Sequence, residues 1–254
     1  MIGDVVGEPG LKTLETSLPA LINENNIDFV VVNGENAADG FGMTANDYNR
    51  IVAAGADVVT SGNHVWEKRD FWPTLENKKN MLRPANYPAG APGAGFFLVQ
   101  KNNVNWLVIN LQGRELISAI DCPFQCFDHI VKNQEETNAV VLVDFHAESS
   151  REKETLAYYI DGRASLIAGT HTHIQTADER ILPKGSAYIT DLGMTGITKS
   201  VIGMDPKICY ERFSKQVQYQ MKTAVSTEPG EVHGVIAEID ADTGKAISIK
   251  RIAA

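Results

Sequence analysis

The sequence predicts an α/β fold resting largely on parallel strands, and three observations carry that expectation. Short runs rich in Val and Ile alternate with helical patterns over the first two thirds of the chain. The last third changes to extended runs paired across turn residues. Each apolar run of the first part ends in polar side chains, as in open α/β sheets, where ligands bind beyond the carboxyl ends of the strands.

The elements follow in chain order. "MIGD" leads into a first strand with only Met1 and Ile2 before the polar residues, where a buried strand usually has about 5–6 residues. Either the sequence given begins inside that strand, after a few apolar residues, or the first strand is short; the former is the expectation. "IDFVVVNGE" is a buried strand. "TANDYNRIVAAG" is a helix with Thr44 as N-cap and Gly55 at its end. "DVVTSGNH" is a short strand and "WEKRDFWPTLEN" one or two helical turns. "VNWLVINLQG" and "NAVVLVDFHAE" are strands. The second is followed by the helix "SSREKETLAYYIDG", capped by Ser149 or Ser150. "ASLIAGTHTH" is again a strand. "ERILPKGSAYITDLG" and "EVHGVIAEIDADTGKAISIKRI" are antiparallel hairpins, the latter turning at Asp242–Gly244. No linker, repeat or low-complexity segment interrupts this order, and residues 1–254 are expected to form one domain.

With 43% apolar residues the chain can bury a sizeable core. No apolar run approaches the roughly 20 residues that span a bilayer, so no membrane partner is expected. Cys122, Cys126 and Cys209 are too few and too scattered for a disulfide framework and read as reduced thiols of a cytoplasmic protein. A net charge of −9 argues against an extended nucleic-acid surface but not against a small phosphorylated substrate. Exposed-looking segments such as "GFFLVQ" and the C-terminal hairpins are candidates for pairing between copies in a homo-oligomer.

Five strand ends deliver polar groups to one edge: Asp4; Glu35 and Asn36; Asn63 and His64; His146; His171 and His173. Any one of them alone reads as a cap, a turn or a hydrogen-bonded histidine. Together they form a mixed imidazole, carboxylate and amide set without thiolate, which suits Zn, Fe, Mn and similar ions. The set is too large for one ion and points to two, the arrangement that clamps phosphoryl groups. His-x-His on an extended segment would point His171 and His173 to one face and Thr172 away. His129 and His233 lie outside the pattern and read as structural. Asp144, on the His146 face of its strand, and Asp178 are carboxylates placed to orient ligating imidazoles.

The ordered blocks "GD…GEN…GNH…FH…GTHTH" resemble those of the calcineurin-like metallophosphoesterases. "IGDVVGEPG", "NGENAADGFGMT", "TSGNHVWEK", "LRPANYP", "DFHAESSREK", "GTHTHIQTADERILPKGSAYITDLGMTG" and "GMDP" together resemble, more narrowly, the bacterial YmdB family over nearly the whole chain. Two departures from the superfamily fit the narrower family: Val6 replaces a histidine ligand, and Glu35 replaces the bridging aspartate. The resemblance implies a four-layer sandwich of two mixed β-sheets flanked by helices. It implies that Asp4 and His173 bind one metal, that Glu35 bridges, and that Asn36, Asn63, His146 and His171 complete the second. His64 is then the general acid. The implied cofactors are two ions, Fe or Mn, with Zn or Mg as alternatives. The implied activity is hydrolysis of a phosphodiester, with 2′,3′-cyclic nucleotides as the leading substrates and a metal-activated water as nucleophile. Phe41, Arg83 and Asn86 are candidates to contact substrate, and the Gly-rich loop around Phe41 is a candidate lid. Two other readings are a dinuclear amidohydrolase, whose bridging lysine and helical His-x-x-x-His are missing, and a regulator that binds metal or nucleotide without turnover.

Overall fold

Period-two alternation in the strands and apolar stripes on the helices divide the apolar residues among three interfaces. The computed structural model describes residues 1–254, the side chain of Glu136 excepted. The elements run β1 (Asp4–Val5), α1 (Gly7–Asn25), β2 (Val31–Asn33), α2 (Ala45–Ala53), β3 (Val58–Thr60), α3 (Trp72–Asn77), β4 (Phe96–Lys101), β5 (Val104–Gln112), α4 (Pro123–Lys132), β6 (Val140–His146), α5 (Ser150–Ile160), β7 (Leu166–Thr170), β8 (Arg180–Ile181), β9 (Ala187–Ile189), β10 (Met194–Thr195), α6 (Pro206–Lys215), β11 (His233–Ile239) and β12 (Ala246–Ala253).

Both sheets are mixed. In one, β2 and β3 are parallel, and Ile2 joins β2 at Val32 to the antiparallel β11–β12 hairpin at Gly234. Short as it is, the opening segment is paired on both sides: Ile2 N donates to Val31 O and Gly3 N to His233 O, each at 2.9 Å. The other sheet has the order β4-β5-β6-β7-β9-β8, parallel through its centre and antiparallel at both edges. Phe96 and Leu98 are exposed on the edge strand β4.

Alternate residues along each strand face opposite layers. Val31, Val58, Val108, Leu142 and Leu166 pack between the sheets. Val32 and Val59 face outward onto Leu11, Leu14 and Leu18 of α1 and Tyr48 and Ile51 of α2. Ile109, Val143 and Phe145 face outward onto Phe127 of α4 and Leu156 and Ile160 of α5. The result is helix, sheet, sheet, helix. The same alternation sends Asn33, Thr60, Asp144, His146 and Thr170 to the space between the sheets, at the carboxyl ends of their strands.

The caps follow the local chemistry. Thr44 closes a capping box with Asp47, and Gly55 ends that helix with φ +121°. Ser149, not Ser150, accepts from Glu152 N at the start of α5. Helix α1 is not evident in the sequence pattern. Gly7, Pro9 and Gly10 at its start and Pro19 inside it mask the spacing of Leu11, Leu14 and Leu18. Pro9 is tolerated because first-turn N–H groups have no intrahelical acceptor. Helix α6 is not evident there either; Asp205 caps it, with Pro206 at its first position. Among the described residues, no helix is long and apolar enough to cross a membrane.

Candidate metal centre

Strand ends supply the centre of the site. Asp4, Glu35 and His146 are essentially buried and offer ligand atoms within 4.8 Å of one another. Gly62 lets them meet. A Cβ there would stand 1.9 Å from Glu35 Oε2 and 2.3 Å from His146 Nε2, so the glycine of "GNH" is required by close approach and not by its own torsion angles.

Two groups of acceptors form around this centre. His146 Nε2 lies 2.9 Å from Glu35 Oε2, 2.9 Å from His171 Nδ1 and 3.1 Å from Asn63 Oδ1. His173 Nε2 lies 3.9 Å from Asp4 Oδ1 on the other side. Asn36 turns its amide nitrogen to Gly40 O at 2.9 Å, which leaves Oδ1 free. Seven buried side-chain polar atoms lack a partner among the described residues, and Asp4 Oδ1, Glu35 Oε2 and Asn36 Oδ1 are three of them. Glu35 Oε2 is near His146 Nε2 in distance without forming an aligned hydrogen bond. Burying such oxygens unpaired is costly, and a cation is the partner they suit.

The ionisation of the groups tells the same story. Burial pushes Asp4 up to about 6, partly offset by His173 and His146. Burial would also raise Glu35, but the charge of the adjacent His146 and the His64 backbone N–H outweigh it and hold the carboxyl at about 2. His146 itself resists the lowering effect of burial and is raised by Glu35 and Asp4. Burial and the charge of His146 push His171 down to about 3, so that ring is neutral. Without an ion, a single His146 Nε2–H sits among three acceptors. That is the environment of a proton doing part of a cation's work.

The remaining nitrogen of each imidazole faces a different partner. His146 Nδ1 is 3.0 Å from Thr170 Oγ1, which donates to Asp144 Oδ1 at 2.7 Å. Asp144 therefore acts on His146 through Thr170 rather than directly, and it also accepts from Thr60 Oγ1 and Asn33 Nδ2. His173 Nδ1 lies 2.8 Å from Ile202 O. His171 Nε2 lies 3.2 Å from Glu148 Oε2. The Thr170 and Ile202 contacts are hydrogen bonds of the kind that orient ligating rings, whereas Glu148 stands beside His171 without an aligned bond.

The expectation of an extended His-x-His segment is corrected. Strand β7 ends at Thr170, and His171 and His173 have φ of +100° and +65°. The chain turns between them, so they reach different sides of the centre: His171 towards His146, His173 towards Asp4. Asp191 pins this turn, accepting from Thr172 N at 3.1 Å, Gly193 N at 2.9 Å and the buried Lys153 Nζ at 2.6 Å. Asp191 has the same signal as the other strand-end carboxylates and was legible in "ITDLG". Lys153, on the helical stretch "REKETLA", carried no such signal.

His64 stands apart from the acceptors. Its backbone N donates to Glu35 Oε1 at 2.9 Å, and its Nδ1 lies 3.2 Å from Glu67 Oε1. The ring is about a quarter exposed and meets Phe41 edge-on at 5.1 Å. Phe41 also packs with Val6, Met194 and Met204, so it buttresses His64 instead of standing free as a stacking platform. Arg83 and Asn86, expected at the substrate, are corrected to loop anchors. Arg83 is buried and spends its guanidinium on the carbonyls of Pro84, Ala85, Ala91 and Pro92. Asn86 donates to Gln112 O and Asp121 O and accepts from Gln112 N. Asp178 does not touch a ligand histidine; it binds Thr176, Thr190 and Arg180. His129 lies near Asn133 on α4, and His233 near Glu231.

Known proteins share this architecture. A Bacillus subtilis (strain 168) protein named 2′,3′-cyclic-nucleotide 2′-phosphodiesterase is 43% identical over 251 residues, covering 99% of this chain and 94% of its own. A crystal structure from Thermus thermophilus, described as a hypothetical protein, superposes with a TM-score of 0.92 at 36% identity, covering 99% of this chain and 96% of its own. A structure described as a novel phosphatase from Mycoplasma pneumoniae gives 0.92 at 32% identity, covering 100% and 91%. A 5′-nucleotidase precursor, also from Thermus thermophilus, shares the fold alone, at 12% identity and a TM-score of 0.59 over 95% of this chain and 48% of its own. The family model described as YmdB-like protein matches residues 1–252. On that match, and on identity sustained along the whole chain, this protein belongs to the YmdB-like family.

Proposed function

We propose that the chain is a dinuclear metal-dependent phosphodiesterase that opens 2′,3′-cyclic nucleotides. The observation that carries this reading is the convergence of His146 Nε2, His171 Nδ1, Glu35 Oε2 and Asn63 Oδ1 on one point, with Asp4 and His173 across Glu35 and His146 from it. Asp4, His173 and Glu35 would hold one ion, and Glu35 with Asn36, Asn63, His146 and His171 the other; iron or manganese suits this imidazole and carboxylate set. When bound, two such ions lower the pKa of water towards about 7 and neutralise charge on phosphoryl oxygens.

The chain's own groups do the rest. His64 is kept out of the ligand set and oriented by Glu67, which leaves Nε2 to protonate the departing oxygen. In a 2′,3′-cyclic diester, water adds to phosphorus and gives up one proton to solvent, the P–O2′ bond breaks, and O2′ takes the His64 proton, which solvent restores, giving a 3′-monophosphate. The close fit of Glu35 and His146 against Gly62 fixes how near those two side chains stand to each other. The likeness to the Bacillus subtilis phosphodiesterase supports this choice of substrate.

The test is elemental analysis of protein purified without chelator, with turnover of 2′,3′-cyclic nucleotides beside a p-nitrophenyl monoester and an amide. Two ions per chain and preferential diester hydrolysis are expected. Amide hydrolysis, or no diester hydrolysis by metal-loaded protein, refutes the reading.

A further inference from the structure

Gln112, the last residue of β5, has no part in the reading above. Its side chain is fully buried, yet among the described residues its Nε2 has no hydrogen-bond partner. In the parallel pairing of β5 with β6 it stands opposite His146, about 4.8 Å away across the ladder, so the two side chains leave the sheet on the same face. Leu111 and Phe145, one residue earlier, turn to the helices. Asn86 fixes the Gln112 backbone, accepting from its N at 2.9 Å and donating to its O at 2.8 Å. The Tyr87 hydroxyl donates to Gln112 Oε1 at 3.2 Å. Burial, with the nearby charge of Glu35, raises that hydroxyl above its usual range, so it stays protonated. Held this way, the amide keeps its N–H₂ end free. Asn110, two residues earlier on the same face, has both ends of its amide in use, on Ser61 N and Asp144 O.

The unpaired atoms here are of opposite kinds. Asp4 Oδ1, Glu35 Oε2 and Asn36 Oδ1 are acceptors and suit cations, whereas Gln112 Nε2 is a donor and suits an anionic oxygen. All four are closed to bulk water, so the partner of each is a group held inside the centre. We propose that Gln112 is a substrate-contacting residue whose amide donates to a phosphoryl oxygen at the metal centre, with Tyr87 as the positioning residue that turns the amide to it. This rests on the phosphodiesterase reading and adds to it the donor that Arg83 and Asn86 do not supply. A buried amide without a partner destabilises the fold, and a hydrogen bond to a charged oxygen offsets that loss only when substrate is bound. Such a contact holds the phosphoryl group whatever base the nucleotide carries.

The test uses the full chain loaded with Mn²⁺, beside Gln112→Met, Tyr87→Phe and the two combined. Gln112→Met keeps the unbranched shape of the side chain and removes the amide. It is expected to keep its ions and, metal-free, to unfold at or above the wild-type temperature. It is expected to lose about 10–100-fold in kcat/KM on 2′,3′-cyclic AMP and 2′,3′-cyclic CMP alike, and to bind inorganic phosphate more weakly by calorimetry. Tyr87→Phe is expected to lose less, and the double variant no more than Gln112→Met alone, because Tyr87 acts through Gln112. Unchanged kcat/KM and phosphate affinity in Gln112→Met would overturn the proposal. A lower unfolding temperature or lost ions in that variant would also overturn it, because the amide would then support the fold or the ions. Additive losses in the double variant would overturn the role of Tyr87. Wild type that hydrolyses no diester would instead sink the phosphodiesterase reading, and the phosphate titration would still judge the Gln112 contact.

Discussion

Replacing Gly62 by Ala would put a methyl group 1.9 Å from Glu35 Oε2, 2.2 Å from His146 Cδ2 and 2.3 Å from His146 Nε2. Ordinary contact begins near 3.4 Å, so the carboxylate and the imidazole must retreat by about 1–1.5 Å, and a misplacement of that size costs about 10²-fold or more in rate. Gly62 does not have the positive φ of Gly55 or Gly244, so alanine suits its backbone. The atoms it meets belong to two site side chains and not to the backbone of either sheet, so the displacement falls on the site. The fold therefore tolerates the change and the site does not. Gly62→Ala is expected to unfold at the temperature of wild type when both are metal-free. It is expected to bind less than one ion per chain where wild type binds two, and to lose diester turnover by at least about 10²-fold. Elemental analysis, thermal unfolding and turnover measure these three quantities. Wild-type metal content with wild-type turnover would refute the close-approach reasoning.

His64→Ala is expected to keep its metal and lose about 10²–10⁴-fold in turnover; loss of metal would make His64 a ligand. Ion binding is expected to expel protons, because Asp4 titrates near 6 and His146 above its usual range, while His171 is already neutral. Affinity should therefore rise as pH rises through 5–7, with about one to two protons released per ion pair at pH 6 by calorimetry in two buffers; no release would contradict the buried, partly protonated ligand set. Lys153→Met leaves Asp191 buried with only backbone donors and is expected to cost about 3–5 kcal/mol in denaturant unfolding. A change below about 1 kcal/mol would mean that the Lys153–Asp191 pair does not hold the His171–His173 turn.

Local chemistry made much of this protein legible. The apolar runs around Val31, Ile109 and Val143 marked buried strands, while the second sheet entered only as what the family resemblance implied. Thr44 and the Ser149–Ser150 pair marked helix starts. Polar tips at Asp4, Glu35, Asn63, His146 and His171 marked one edge, because a strand that ends in a ligand must spend its last residues on it. Helix α1 was obscured because Pro19 and two early glycines break the pattern that Leu11, Leu14 and Leu18 keep.

What the sequence determined by itself was the donor set: which residue types stand at the strand ends, and that they suit metal ions. Tertiary structure decided how the set divides. His171 and His173 part because the chain leaves β7 in left-handed torsions, which two-residue spacing cannot reveal. Arg83 is a loop anchor because carbonyls of its own loop claim its guanidinium, and Asn86 because the distant Gln112 and Asp121 carbonyls claim its amide. Asp144 reaches His146 only through Thr170, and Glu148 stands beside His171 from another strand end. Spacing fixes which face a residue takes along one strand. Hydrogen-bond partners contributed by other strands fix which atom of that residue faces the site, and only folding brings them together.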